Sequence, residues 1–404
     1  MQPVPPVPGP RLTAAVLLLS SLTIMANAAI APSLPAIKEH FAATPGIETL
    51  SPLLMVLPSA SIVLTAGLFG WLADRMDRQR LLLIAALLYA IGGSSGLWAQ
   101  GLVQMLIGRV VLGVGVAGTM TLAMVWATDL WQGPARAEFL GRQGAAMSFG
   151  GIVVILAGGA LAVLHWRGAF AVYLLVLPIA VLALTTLAPH AKAVRARQRA
   201  EAARVHEPFP WLALLLVGGL AFAFMAFFYV MPTRLPFLLH DLGTTNTLVT
   251  AAIMASITLA SIPGALNYGR IRKHMSAMAV FAMSFSLLGT GMVIISQATG
   301  PGLVVVGALV AGLGLGPAMP NYTTYLMAFV PPTQRGRASG LLTTAFFAGQ
   351  FAAPLVAAPL VSAYSLPGAF GALGLAQLVL AAGLAVAAAA RLGAMPAPVP
   401  SAQV

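Results

Sequence analysis

"GWLADRMDRQR", residues 70–80, holds five of the thirty charged residues in this 404-residue chain, and apolar runs flank it on both sides. Hydrophobic residues make up 59% of the sequence and charged residues only 7%, against about 25% charged in an ordinary soluble domain. A water-soluble fold cannot hide that much apolar surface, so the solvent around this chain is itself apolar. A membrane-crossing helix needs about 20 mostly apolar residues, and the sequence supplies such runs repeatedly. They do not alternate as the short strands of a transmembrane barrel do. The expectation is therefore an all-α membrane protein, with the charged knot as a turn between two spans.

Twelve apolar runs fall at roughly 12–37, 49–72, 80–99, 102–128, 140–164, 168–188, 210–236, 246–268, 276–298, 302–329, 338–363 and 367–390. Placing the N-terminus in the cytoplasm puts 17 of the 21 Lys and Arg residues on the inner side. The outer side keeps Lys38, Arg167 and Arg234, and Arg109 lies within a span. That asymmetry predicts cytoplasmic termini. It also accounts for the net charge of +12 without nucleic acid as a partner. There is no Cys, hence no disulfide and no thiolate metal site. The N-terminus lacks the charged region and cleavage site of a signal peptide.

The basic stretch at 189–209 divides two sets of six spans. The expected organisation is a cytoplasmic N-terminus at 1–11, a six-helix bundle at 12–188, the linker at 189–209, a second bundle at 210–391 and a cytoplasmic tail at 392–404. The two sets echo each other at a shift of about 200 residues. Gly113 and Gly115 meet Gly312 and Gly314, and Gly150 meets Gly349. Repeated six-span sets are a transporter signature, with the substrate site near the bilayer midplane.

In the turn between spans two and three the sequence resembles the major facilitator superfamily, whose motif there reads G-x-L-a-D-r-x-G-r-(k/r)-r. Gly70, Leu72, Ala73, Asp74, Arg75, Arg78 and Arg80 match it. Asp77 stands where that family has the turn glycine, a position Asp tolerates better than most residues. Arg109 with Gly113 in "GRVVLGVGVAG", "HWRGAF" at 165–170 and "PPTQRGRASG" at 331–340 resemble further elements of the family. The resemblance spans residues 12 to 390 and, taken together, is closest to the twelve-span drug:proton antiporter branch. In span five that branch carries G-x-x-x-G-P-x-x-G-G; here Gly150, Gly158 and Gly159 remain, but Val154 and Ile155 replace the central Gly-Pro.

The resemblance implies two pseudo-symmetric bundles and a conformational latch. Gly70 would let helices approach closely. Asp74 would accept from a helix N-terminus near Arg337, and Arg78 would bridge Asp74 and Asp129. The competing reading is a solvated loop whose arginines, Arg75 among them, only fix topology.

No nucleophile–base set, phosphate loop or metal cluster is evident, so neither an enzyme nor a cofactor is expected. Transport chemistry is sought in polar groups within spans, where charge is costly. All nine acids fall in loops or at span ends. Arg109 alone lies deep within a span. Three roles compete for it: a helper in proton coupling, which the resemblance implies, an anchor for an anionic substrate, and a structural donor to carbonyls of a neighbouring span. For Arg234, near the outer end of span seven, an interfacial side chain is expected, with a role in guiding anions as the alternative. The candidate substrate-binding set is Asn27, Met120, Met124, Met225, Phe228, Tyr229, Asn321, Tyr322, Tyr325, Phe347 and Gln350, a surface suited to varied hydrophobic ligands. Each Phe or Met in it also fits plain helix packing.

The expected function is secondary active export of small hydrophobic or amphipathic compounds by alternating access, with protons as the coupling ion that the resemblance implies. A carrier of an anionic or neutral metabolite is the alternative. A non-transporting sensor or scaffold would need an added signalling domain, which the short termini do not offer. The Ala-, Gly- and Arg-rich, Lys-poor composition points to a bacterial inner membrane; a small-molecule substrate, protons and the bilayer are the expected partners, and the resemblance implies a monomer.

Overall fold

The computed structural model describes residues 9–131, 133–187, 209–331 and 334–390. The linker at 189–208 and the tail from residue 391 lie outside the described residues. Among the described residues there is no β-strand. Eleven helical segments among the described residues are long and apolar enough to cross a membrane. The last of them, Arg335–Ala389, has 55 residues. At about 1.5 Å per residue it would run far beyond the ~30 Å of a bilayer core. It turns at Ser365, whose φ of 69° and ψ of 173° are non-helical, and so forms spans eleven and twelve. The expected twelve crossings are present.

The chain divides into two compact units. One comprises Met1–Arg204 with Asn246–Ala252, the other Val205–Thr245 with Ile253–Val404. In the first unit, span one (Pro10–His40) is interrupted. Its long helix ends at Ala28, and a short 3₁₀ turn at Ala31–Ser33, carrying Pro32, precedes a helix at Leu34–His40. Span two lies in the helix Ile47–Arg75, which contains Pro52 and Pro58. Span six opens with a 3₁₀ stretch, Trp166–Leu175, before its α-helix. The helix Gly133–Leu164 runs unbroken through Val154 and Ile155, as expected where the kink-forming proline is missing. In the second unit, span seven breaks at Tyr229 between Trp211–Phe228 and Val230–Asp241.

Both units pack by the same glycine registers. A Cβ on Gly113 would overlap the Pro58 carbonyl oxygen and come within 2.6 Å of Ser61 Cβ. A Cβ on Gly312 would overlap the Ile257 carbonyl oxygen and come within 2.8 Å of Ala260 Cβ. Gly115 meets Tyr89 N and Ala85 O, and Gly314 meets Leu288 N and Ser284 O. Each residue of the second set lies 199 positions after its counterpart in the first. In lipid, small residues let helix backbones approach and gain dispersion contact. The repeated glycines therefore build each unit on the same interhelical distances.

Candidate functional site

Arg109 is fully buried, and its place is set by two helices that leave carbonyls without partners. Pro58 has no N–H, so the Leu54 carbonyl one turn earlier loses its intrahelical donor. Ala26 lies in the last turn of helix Pro10–Ala28, where carbonyls run out of partners in their own helix. Arg109 Nε donates to Leu54 O at 2.9 Å, and Nη2 donates to Ala26 O at 2.6 Å. Nη2 also donates to the Tyr173 hydroxyl at 2.8 Å, and that hydroxyl donates to Ala26 O at 3.0 Å. The guanidinium carbon sits 4.8 Å from the Tyr173 ring centroid and 5.9 Å from that of Phe170, which adds cation–π attraction. Nη1 has no hydrogen-bond partner. Tyr89 beside this group donates to Leu22 O at 2.9 Å. The hydrogen bonds of Arg109 go to two backbone carbonyls and a phenol, and each of these lies within the first unit.

At the end of span four, Arg78 Nη1 pairs with Asp129 Oδ2 at 2.6 Å, with the two side chains 5% and 17% exposed. Arg78 Nε also donates to Ala73 O at 3.4 Å. Asp77 is not a left-handed turn residue. With φ −68° and ψ 120° it caps the helix Arg78–Gly93 and accepts from Gln79 N, so a helix-capping Asp suits the position where the family motif has Gly. Arg75 is exposed and lies over the Trp71 ring at 4.1 Å. Asp74 stands in the last turn of helix Ile47–Arg75; its side chain lies outside what is described. A Cβ on Gly70 would meet nothing within 4 Å. Close helix approach by described residues therefore does not explain glycine there.

Of the expected substrate-binding set, Asn27 Nδ2 donates to Ser59 Oγ at 3.0 Å. Asn321 Nδ2 donates to Ala277 O at 3.0 Å, and its Oδ1 accepts from the Tyr268 hydroxyl at 3.1 Å. Tyr322 donates to Leu220 O at 3.1 Å. Tyr322 also anchors an aromatic cluster with Phe224, Phe281 and Phe346, and Phe281 extends it to Tyr325. Phe228 and Tyr229 form a T-shaped pair at 5.5 Å. Met225, Phe347 and Gln350 are buried, Met120 is half-buried and Met124 is exposed. Arg234 is buried at 5% exposure, not the interfacial side chain expected from its position.

The sequence reading missed Tyr89, Tyr173 and Pro58. A Tyr inside an apolar span must find a partner for its hydroxyl, and a Pro inside a helix marks a freed carbonyl four residues earlier. Both signals were present without their partners. The seven described acids are Glu39, Glu48, Asp74, Asp77, Asp129, Glu138 and Asp241, and each lies in or near the terminal turn of a helix or caps one.

A family model described as the Major Facilitator Superfamily matches residues 16–354 and, separately, 219–402. The sialic acid transporter NanX of Escherichia coli (strain K12) is 24% identical over 310 residues, covering 74% of this chain and 75% of that protein. The multidrug efflux pump Tap of Mycolicibacterium fortuitum is 27% identical over 128 residues, covering 32% of this chain and 31% of Tap. The crystal structure of a D-xylose-proton symporter superposes with a TM-score of 0.73 at 17% identity, covering 93% of this chain and 96% of the other. At that identity the likeness carries the fold alone.

Proposed function

We propose that this chain, which belongs to the Major Facilitator Superfamily and is a membrane transporter, exports small hydrophobic or amphipathic compounds by alternating access in exchange for protons. One observation carries this reading. Four of the polar side chains nominated for substrate already hold partners inside their own unit: Asn27 with Ser59, Asn321 with Tyr268 and Ala277, Tyr322 with Leu220, and Arg109 with Leu54 and Ala26. A sugar or carboxylate needs several convergent polar groups, and stripping such a substrate of water without them is costly. Met and aromatic side chains, Met124 and Phe228 among them, ask for no such partners. The local likeness to a multidrug efflux pump agrees with this.

Proton exchange is assigned to the acids at helix ends. Asp129, held by Arg78 at 2.6 Å, is the proposed participant together with Asp74. The proposed setting is a bacterial inner membrane, with both termini cytoplasmic and the protein a monomer. A second reading, a carrier of an anionic metabolite, draws on the longer match to the sialic acid transporter.

Purified protein in liposomes holding a pH-sensitive dye separates the two. Tetraphenylphosphonium, a neutral lipophile and sialic acid are added in turn under an imposed proton gradient. Lipophile-dependent proton flux, lost in Asp129→Asn and kept in Glu138→Gln, is the expected result. Sialic acid movement with no lipophile response would replace export by the carrier reading.

A further inference from the structure

We propose that Arg109 and Pro58 are a compensated pair, in which the guanidinium supplies Leu54 with the hydrogen-bond donor that Pro58 removes. Arg109 is then a positioning residue for the Pro58 bend, and neither a proton carrier nor a substrate anchor. The proposal does not depend on the substrate.

Two observations carry it. The first is the division of labour among the bonds. Ala26 O has two donors, Arg109 Nη2 and the Tyr173 hydroxyl. Removing the guanidinium leaves Ala26 O with Tyr173, whose hydroxyl still donates. Leu54 O has Arg109 Nε and, one turn on, a proline that offers nothing. The group orphaned by loss of Arg109 is therefore the Leu54 carbonyl. In lipid such a group has no water to turn to.

The second is the internal repeat. The glycine registers recur 199 residues later, so Gly113 against Pro58 becomes Gly312 against Ile257. Ile257 lies inside the helix Thr247–Leu266 and keeps its N–H for the carbonyl of Ile253. At the place of Arg109 the second unit has Ala308, fully buried. Where the proline is absent, so is the arginine. A guanidinium has five donors and no acceptor, and stays protonated in proteins. It can hold a carbonyl, but it cannot itself pass a proton on.

The test is a double substitution. Arg109→Met keeps much of the side-chain volume and removes the donors; Pro58→Ala restores the backbone N–H. Melting temperature is measured in detergent for wild type, both single variants and Pro58→Ala/Arg109→Met. Proton flux driven by tetraphenylphosphonium is followed across pH in liposomes. Arg109→Met is expected to lose several degrees. Pro58→Ala alone is expected to stay near wild type. The double variant is expected to regain at least half of the loss, with the pH of half-maximal flux where wild type has it. If Arg109→Met yields no folded protein, recovery of a monodisperse double variant supports the pair.

A double variant no more stable than Arg109→Met overturns the proposal. So does one that regains stability but carries no flux while wild type does, since Arg109 would then act in coupling. If wild type itself moves no protons, export by proton exchange fails and the melting temperatures alone still decide the pair.

Discussion

At Gly113 in the first unit and Gly312 in the second, helix meets helix in the same register, against Pro58 and Ile257 respectively. The backbones repeat, and the side chains at the heart of each unit do not. The first unit surrounds its register with Arg109, Tyr89 and Tyr173, whose hydrogen bonds end on main-chain carbonyls: Leu54 before Pro58, Ala26 in the last turn of its helix, and Leu22 within that helix. The second surrounds its register with Phe224, Phe281, Phe285 and Tyr322, packed ring on ring. The ion pair Arg78–Asp129 likewise has Ala277 and Ala328 at the corresponding places. Small residues at fixed spacing therefore carry the scaffold in both units, and in the first a guanidinium takes the carbonyl that Pro58 frees.

The largest effect tests the shared part. Leucine at Gly113 or at Gly312 would force a side chain onto a backbone carbonyl of the facing helix. Overpacking costs about 1–3 kcal/mol where side chains can yield, and here the neighbour is main chain. Both variants should fail to give folded protein by size-exclusion chromatography. If one unit tolerates leucine and the other does not, the scaffolds are not equivalent.

Next comes damage of the kind the first unit already repairs. Ile257→Pro should destabilise the protein by about 3 kcal/mol, because the Ile253 carbonyl loses its donor. Adding Ala308→Arg should recover part of that. No recovery would show that the guanidinium needs the Tyr173 side of its site as well as the freed carbonyl.

Asp129→Asn follows. A fully buried pair broken on one side costs about 3–5 kcal/mol. Asp129 is 17% exposed, so about 2 kcal/mol is expected after discounting for solvent screening. The melting temperature should fall accordingly. A fall shared by the exposed-pair variant Glu138→Gln would mean that charge count, not burial, sets the cost.

How much of this was legible differs between scaffold and site. Hydropathy marked all twelve spans, because crossing lipid demands about 20 apolar residues wherever the chain does it. The repeat was visible in Gly113, Gly115, Gly150 and their counterparts, since glycine is the residue that close approach selects. Arg109 stood out as a charge inside a span. Its partners did not, because they are the main-chain carbonyls of Leu54 and Ala26, and a carbonyl looks the same at every position. Pro58 announced a freed acceptor but not the residue that fills it. The turn at Ser365 falls in the gap expected between runs 338–363 and 367–390, whereas the break at Tyr229 inside span seven was not anticipated, since hydropathy does not change there.

The smallest effect is the most pointed, because distance is held constant. Arg142–Glu138 and Arg78–Asp129 both close at 2.6 Å. The first pair lies at i,i+4 on one helix with side chains 61% and 65% exposed. Water screens such charges, and two long side chains must be frozen to hold the geometry. The net is about 0.3–0.5 kcal/mol. Glu138→Gln should therefore shift the melting temperature by a degree or so at most, and added salt should erase even that. The Arg78–Asp129 contribution should survive the same salt, because its charges lie largely beyond the reach of mobile ions. Equal salt sensitivity of the two pairs would mean that Arg78 reaches water in the working protein, and that the contrast between two bonds of one length is not a contrast of environment.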